Sequence, residues 1–270
     1  MTRRVLLALL LAVPALAGFH PPDRSGPFAP EVRRVIVPLS SGPRASLLYL
    51  PGASAAADRP GVVLGHGFLA PIARYDSLGR WLAGHGFRVL VAGYPDPGLG
   101  YPRARIPADL LAAADWLGPG PVALVGHSMG GGGAFTAAGR APAGRVAALA
   151  AMSPHRVAPV PESLPMPVLV FAAGRDGVSP AARVRREFFE ACRAPGWLVT
   201  LPTADHSSYL DDAPGIAGAW GRGDRPTALR AVRTRLAAFL RVQLLGDSAC
   251  LPWVVGRPPA DDCAATVEGR

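Results

Sequence analysis

The residues best placed to do chemistry are in Gly126-His127-Ser128-Met129-Gly130, which closes the apolar run Val122-Ala123-Leu124-Val125. A serine hydroxyl is a weak nucleophile. It needs a base to take its proton and a tight turn to present it to substrate. Gly126 and Gly130 suit such a turn, because neighbouring chain passes too close for side chains and a strained serine backbone leaves little room. A strand-like run before the turn and a small-residue helical pattern after it, Met129 to Ala138, are the context a nucleophile elbow demands. That helix would aim its N-terminus at a reacting carbonyl and offer the Met129 N–H to a developing oxyanion.

A neutral imidazole is the usual base, and six histidines compete for the part. His206 is the choice, since it follows the apolar run Trp197–Leu201 and so falls at a strand's carboxyl end, where open α/β sheets bind ligands. His20 lies in the lead-in, His66 after a strand, His85 in a helix-to-strand turn and His155 after the strand ending at Met152. His127 adjoins the serine, with its ring expected to face into the turn. The carboxylate that orients the imidazole is expected at Asp176, in the loop after Val168–Ala173, which gives the chain order Ser, Asp, His. Asp205, Asp211 and Asp212 are its rivals. Gly65-His66-Gly67-Phe68 follows an earlier strand, and the Phe68 N–H is expected as second oxyanion donor. The Phe68 ring and Met129 form apolar walls, and with His155 and Val178 they make the expected substrate contacts. The histidines are spread out and no His/Cys/carboxylate cluster has ligand spacing, so neither a metal nor an organic cofactor is expected.

Several elements must position these groups. Strands are expected at Val32–Leu39, Ala45–Leu50, Gly61–Leu64, Phe87–Ala92, Val122–Gly126, Val146–Met152, Val168–Ala173 and Trp197–Leu201. Helices are expected at Tyr75–Gly84, Ala108–Leu117, Met129–Ala138, Ala181–Ala194 and Thr227–Leu245. The alternation implies an α/β architecture, a mostly parallel central sheet with helices on both faces. In the last helix Leu229, Val232, Leu236, Phe239 and Leu240 share one face, with Arg230, Arg233 and Arg241 largely on the other.

Half of the 270 residues are hydrophobic and 17% are charged, enough material for one buried core over residues 31–270 behind a proline-rich lead-in at 18–30. The net charge of +9 comes from arginine alone; there is no lysine and no asparagine, a pairing that reflects GC-rich codons. The arginines are scattered, so no nucleic-acid partner is expected, although a basic surface favours anionic or interfacial substrates. Met1-Thr2-Arg3-Arg4, the apolar Val5–Val13 and Ala15-Leu16-Ala17 read as a signal peptide cleaved after Ala17, hence a secreted or periplasmic protein. No integral membrane segment is expected, and the mature protein is expected to be a monomer. In an oxidising compartment Cys250 and Cys263 are near enough in sequence to close a small loop and tie down the tail, while Cys192 reads as a buried small hydrophobe.

Gly126-His127-Ser128-Met129-Gly130 with Gly131–Gly133, and Leu82-Ala83-Gly84-His85-Gly86-Phe87-Arg88-Val89, resemble bacterial cutinases and related polyester hydrolases. The segment Pro167–Pro180 resembles their acid-bearing strand and loop, and the paired tail cysteines resemble their C-terminal disulfide. Glu187-Phe188-Phe189-Glu190-Ala191-Cys192 and the stretch from His206 to Ile216 resemble chlorophyllases. Both are α/β-hydrolases using Ser, Asp and His, so the resemblance implies that fold and an ester substrate, small or polymeric. The chain departs from the first pattern at His155, where a tryptophan usually follows the proline, and from the second at Met129, where arginine is typical. The residues themselves leave two other readings open: a lipase or acyltransferase at a lipid surface, and a noncatalytic binding protein on the same fold.

Overall fold

The computed structural model describes residues 19–52, 58–96, 100–212, 223–256 and 265–270; the leader expected over 1–17 and Cys263 lie outside them. Glu31–Leu39 (β1) and Gly42–Leu50 (β2) form a hairpin, followed by Gly61–Gly65 (β3), Asp76–Gly84 (α1), Arg88–Ala92 (β4) and Ile106–Trp116 (α2). Val122–His127 (β5), Met129–Arg140 (α3), Val146–Met152 (β6) and Val168–Ala173 (β7) come next. Ala181–Val184 (α4), Gly196–Leu201 (β8), Arg225–Leu245 (α5), Leu251–Val255 (α6) and Thr266–Gly269 (β9) complete the described elements. The strands lie in the order β1-β2-β4-β3-β5-β6-β7-β8-β9. From β4 to β8 all neighbours are parallel, while β1, β2 and β9 join antiparallel at the two ends.

The short apolar runs become central strands because both faces are covered. On β3, Val62 and Leu64 belong to one buried cluster with Leu78 and Leu82 of α1 and Leu236 and Phe239 of α5. Val63 points the other way, toward Leu110 of α2 and Phe135 of α3. β5 repeats this, with Ala123 and Val125 on one side and Val122 and Leu124 on the other. Each fully buried Leu, Val or Phe in these layers stabilises the fold by roughly 1.5–3 kcal/mol, and the layers hold the carboxyl ends of β3, β5, β7 and β8 level with one another.

Where the structure departs from the sequence reading, the causes are specific. The helix expected over Ala181–Ala194 is α4 followed by a π-helical turn, Arg185–Glu190, and it stops there. Phe188 and Phe189 are both buried, and the guanidinium of Arg270 lies 4.3 Å from the Phe189 ring, so the C-terminal residue completes that cover. β9 has no apolar alternation to betray it. It pairs with β8 through Trp197–Thr200, and Arg185 donates to Glu268 at 2.6 Å. α5 begins at Arg225, ahead of the expected Thr227, because the Asp224 side chain accepts the Thr227 N–H and Pro226 fits the first turn.

Arg241, expected on the outer face of α5, is buried; it donates to the His20 carbonyl and to Asp247. Arg235 is wholly buried and donates to the carbonyls of Trp253, Val254 and Gly256. Arg235 thus satisfies carbonyls that the end of α6 leaves open, and Arg241 ties the lead-in to the end of α5. Cys192 is buried, as is Cys250, whose Sγ lies 3.5 Å from Asp247 Oδ2; the expected partner of Cys250, Cys263, lies outside the described residues. No described helix is long and apolar enough to cross a membrane.

Candidate active site

Ser128 stands between β5 and α3 with φ 53° and ψ −119°, a left-handed conformation that a side chain adopts only under constraint. The constraint is visible. Ser128 N–H donates to the Met152 carbonyl at 2.9 Å, and the Ser128 carbonyl accepts from Gly132 at 3.0 Å and His155 at 2.8 Å. A Cβ on Gly126 would lie 2.3 Å from the Gly130 carbonyl, and one on Gly130 would lie 2.3 Å from the Gly65 carbonyl. No other residue fits either place without moving backbone. The elbow is thus wedged against the end of β3 and the loop after β6.

The loops after β7 and β8 bring the other two groups to this point. His206 Nε2 is 2.9 Å from Ser128 Oγ, and His206 Nδ1 is 2.8 Å from Asp176 Oδ2. Asp176 Oδ1 accepts the N–H groups of Val178 at 2.8 Å and Ser179 at 2.7 Å, which fixes the plane of the carboxylate. Burial opposes its ionisation. The hydrogen bond and charge of His206, with the Ser179 N–H and the Ser153 hydroxyl, outweigh that and hold its carboxyl below the usual range.

The rival acids are engaged elsewhere. Asp205 Oδ1 accepts from the Ser207 N–H and from both the Ser207 and Ser208 hydroxyls, and Oδ2 accepts from Gly223, so this residue shapes the His206 loop. Asp211 binds the Ser77 backbone and hydroxyl, and Asp212 pairs with Arg74. His66, buried, lies between the carbonyls of Gly67 and Tyr94, and no hydrogen bond joins it to the serine.

His127 has a part that its position in the chain does not announce. The Gly67 N–H donates to Tyr75 Oη at 3.0 Å, and Tyr75 Oη is 2.9 Å from His127 Nδ1. With its oxygen accepting from Gly67, the tyrosine hydroxyl gives its proton to Nδ1. His127 Nε2–H then donates to the His206 carbonyl at 2.9 Å. The loop carrying Phe68 is tied in this way to the backbone of the base, and the ring is held neutral.

Burial, then the charge of His206, lowers the His127 pKa from 6.5 to about 3. An unfolded chain takes up a proton on His127 below about pH 6.5 that the folded chain refuses, so stability falls with pH from there down to about 3. Burial gives His85 the same sign, with a pKa lowered to about 4. Asp176 adds to it, since its depressed pKa gives stability present above the usual carboxylate range and lost as pH falls through the folded value. The urea midpoint is therefore expected to drop between pH 7.5 and pH 4.5, and less steeply in His127→Gln. Parallel pH profiles of the two proteins would refute this account of His127.

A cleft of about 460 Å³ opens over Ser128 and His206, lined by Phe68, Leu69, Ala70, His127, Met129, His155, Val178, Ser207 and Leu210. All four residues expected to touch substrate are in that lining. Met129 begins α3, whose first turn has no side-chain cap, and a Cβ on Gly67 would lie 3.1 Å from Ser128 Cβ, so the Phe68 loop presses against the nucleophile. His155 is half-buried with Arg183 Nη2 3.2 Å from Nδ1; burial and then the Arg183 charge lower its pKa. Among the described residues no group of His, Cys, Asp or Glu could hold a metal ion.

A family model for PET hydrolase-like proteins matches residues 22–213, most of the chain and every residue of the cleft. The chain belongs to the PET hydrolase-like family. Its mostly parallel sheet with flanking helices is accordingly an α/β-hydrolase fold, and the PET hydrolase-like membership makes it an ester hydrolase. The match ends before α5, α6 and β9, so the arginine-bound tail lies beyond the part shared with the PET hydrolase-like model. No curated protein matches the chain.

Proposed function

We propose that this chain is an exported serine carboxylic ester hydrolase that works through an acyl-enzyme on polyester or other apolar esters. The observation that carries the reading is the unbroken path Ser128 Oγ to His206 to Asp176 at 2.9 and 2.8 Å. Ser128 Oγ attacks the ester carbonyl while His206 Nε2 takes its proton, and Asp176 stabilises the imidazolium that forms. The N–H groups of Met129 and Phe68 receive the oxyanion. His206 returns the proton to the leaving alcohol, then activates a water that releases the acid. No cofactor enters this scheme. Phe68, Met129, His155 and Val178 contact the substrate around the carbonyl, and most of that lining is apolar, which suits an aliphatic or aromatic acyl group.

The same reading takes residues 1–17 as a signal peptide, 18–30 as a lead-in and 31–270 as one domain, monomeric and outside the cytoplasm, with Cys250 and Cys263 pairing on export. The test is turnover of 4-nitrophenyl esters from acetyl to long acyl, and of polyester film, by the mature protein, with a fluorophosphonate as trap. Turnover of short and medium esters and a single phosphonyl adduct on Ser128 are expected. A preference for long acyl chains at an interface would favour a lipase, and transfer to an added alcohol an acyltransferase. If a pigment ester alone reacted, the chlorophyllase-like reading would stand. No turnover and no adduct in folded protein would leave a binding protein.

A further inference from the structure

Beyond Phe68 and Met129 the cleft gives onto a second, wider groove of about 890 Å³, lined also by Tyr101, Pro102, Arg103, Ala104 and Val157. Phe68 and Met129 line both spaces, so a substrate with its carbonyl at Ser128 can extend across that shared wall. Chemistry sets the direction. His206 must face the leaving alcohol to protonate it, and His206, Ser207 and Leu210 line the cleft but not the groove. The groove therefore lies on the acyl side.

Among the residues lining the groove, Arg103 alone is charged, and Phe68, Pro102, Ala104, Met129 and Val157 are apolar. Arg103 is exposed in the short turn Arg103–Arg105, and its guanidinium has no hydrogen bond or ion pair with any described residue. Arg183, near the cleft, is occupied by the Val178 carbonyl and the His155 ring, and Arg74 by Asp212 and the Leu69 carbonyl. No carboxylate lines the groove. The nearest acid on α2, Asp109, is wholly buried and accepts from Ser40 Oγ, the Ser41 N–H and the Tyr101 hydroxyl, which makes Tyr101 a fixed wall. The Arg103 charge also reaches the cleft, where it adds to burial, Arg183 and His206 in disfavouring protonation of His155.

We propose that this groove takes the apolar chain of a dicarboxylic acid half-ester, with Arg103 receiving the free carboxylate. An acyl group ending in an anion matches an apolar channel that leads to a single unpaired guanidinium. Water and the half-ester give the dicarboxylate and the alcohol. The reaction that must supply such a substrate is a first ester cleavage in a diester or polyester, which frees one acid and leaves the other esterified. This inference rests on the serine esterase reading above.

The experiment compares 4-nitrophenyl half-esters of adipic and suberic acid with 4-nitrophenyl hexanoate and octanoate at pH 7.5, shorter half-esters being avoided because they close to anhydrides unaided. The ratio of kcat/KM, half-ester over neutral ester, is expected to exceed one in the unmodified enzyme. It should fall about fivefold in Arg103→Gln, chiefly through KM, as suits a solvent-exposed ion pair. Arg103→Lys should recover part of the ratio and Arg103→Glu should lower it further. Added salt should erode the ratio in the unmodified enzyme and leave Arg103→Gln indifferent. A ratio below one, or one unmoved by Arg103→Gln, would overturn the proposal while turnover of the neutral esters kept the esterase reading intact. Turnover of neither ester would overturn both.

Discussion

Ser128→Ala is expected to lower kcat for a 4-nitrophenyl ester by about four to six orders of magnitude, with little change in stability. The hydroxyl is the one nucleophilic atom at the junction of the oxyanion loop, the base and the cleft, and His206 Nε2 stands 2.9 Å from it. Water cannot take its place with the same alignment. What survives is the contribution of the oxyanion donors and of binding, which leaves a residual rate above the uncatalysed one. The fold should tolerate the change, because the elbow is held through the Ser128 backbone, to Met152, Gly132 and His155, and not through Oγ. Initial rates with the purified variant, beside its melting temperature, decide the matter. A folded variant that kept a tenth of the activity would remove Ser128 from the mechanism.

Asp176→Asn is expected to lower kcat by about four orders of magnitude with KM nearly unchanged, for a reason that the geometry makes specific. Oδ1 accepts two backbone N–H groups, from Val178 and Ser179, so the asparagine must put its carbonyl oxygen there. Its NH2 then faces His206 Nδ1, where the carboxylate oxygen stood at 2.8 Å. An amide donor at that place makes Nδ1 an acceptor and moves the ring proton to Nε2, the tautomer that cannot accept the Ser128 proton. The shape is kept and the proton is in the wrong place. Asp205→Asn is the informative control: its carboxylate binds Ser207, Ser208 and Gly223, so the variant should lose stability rather than alignment of the base. If Asp176→Asn retained more than a few per cent of kcat, another acid would have to orient His206.

The reach of the sequence can be seen in the same residues. The elbow was legible because its demands are local. Gly126 and Gly130 are required by contacts of 2.3 Å, and a steric demand of that kind leaves a mark on the residue type itself. Strands β3 to β8 were legible because a strand covered on both faces needs an unbroken apolar run, and the alternation with helices implied their parallel arrangement. Chain order and carboxyl-end loops sufficed to single out Ser128, Asp176 and His206 as candidates.

Other features are absent from any local pattern. Asp205, Asp211 and Asp212 carry the same carboxylate as Asp176, and only the strand order, with β7 beside both β6 and β8, places Asp176 against His206. The bonds of His127 to Tyr75 and to the His206 carbonyl join residues 52 and 79 positions apart. Arg235 and Arg241 look like surface charges, and only the carbonyls left open at α6, Asp247 and His20 turn them inward. β9 became a strand because β8 had a free edge and Glu268 found Arg185.

By itself the sequence determined the layered architecture, the strained turn and the residue types able to work there, since periodicity and close packing act on neighbours along the chain. Only the tertiary structure decided which acid orients the base, which histidine braces the loop and which arginines are buried. Each of those choices depends on a polar group finding its partner across the sheet, where burial without one would cost roughly 1–3 kcal/mol.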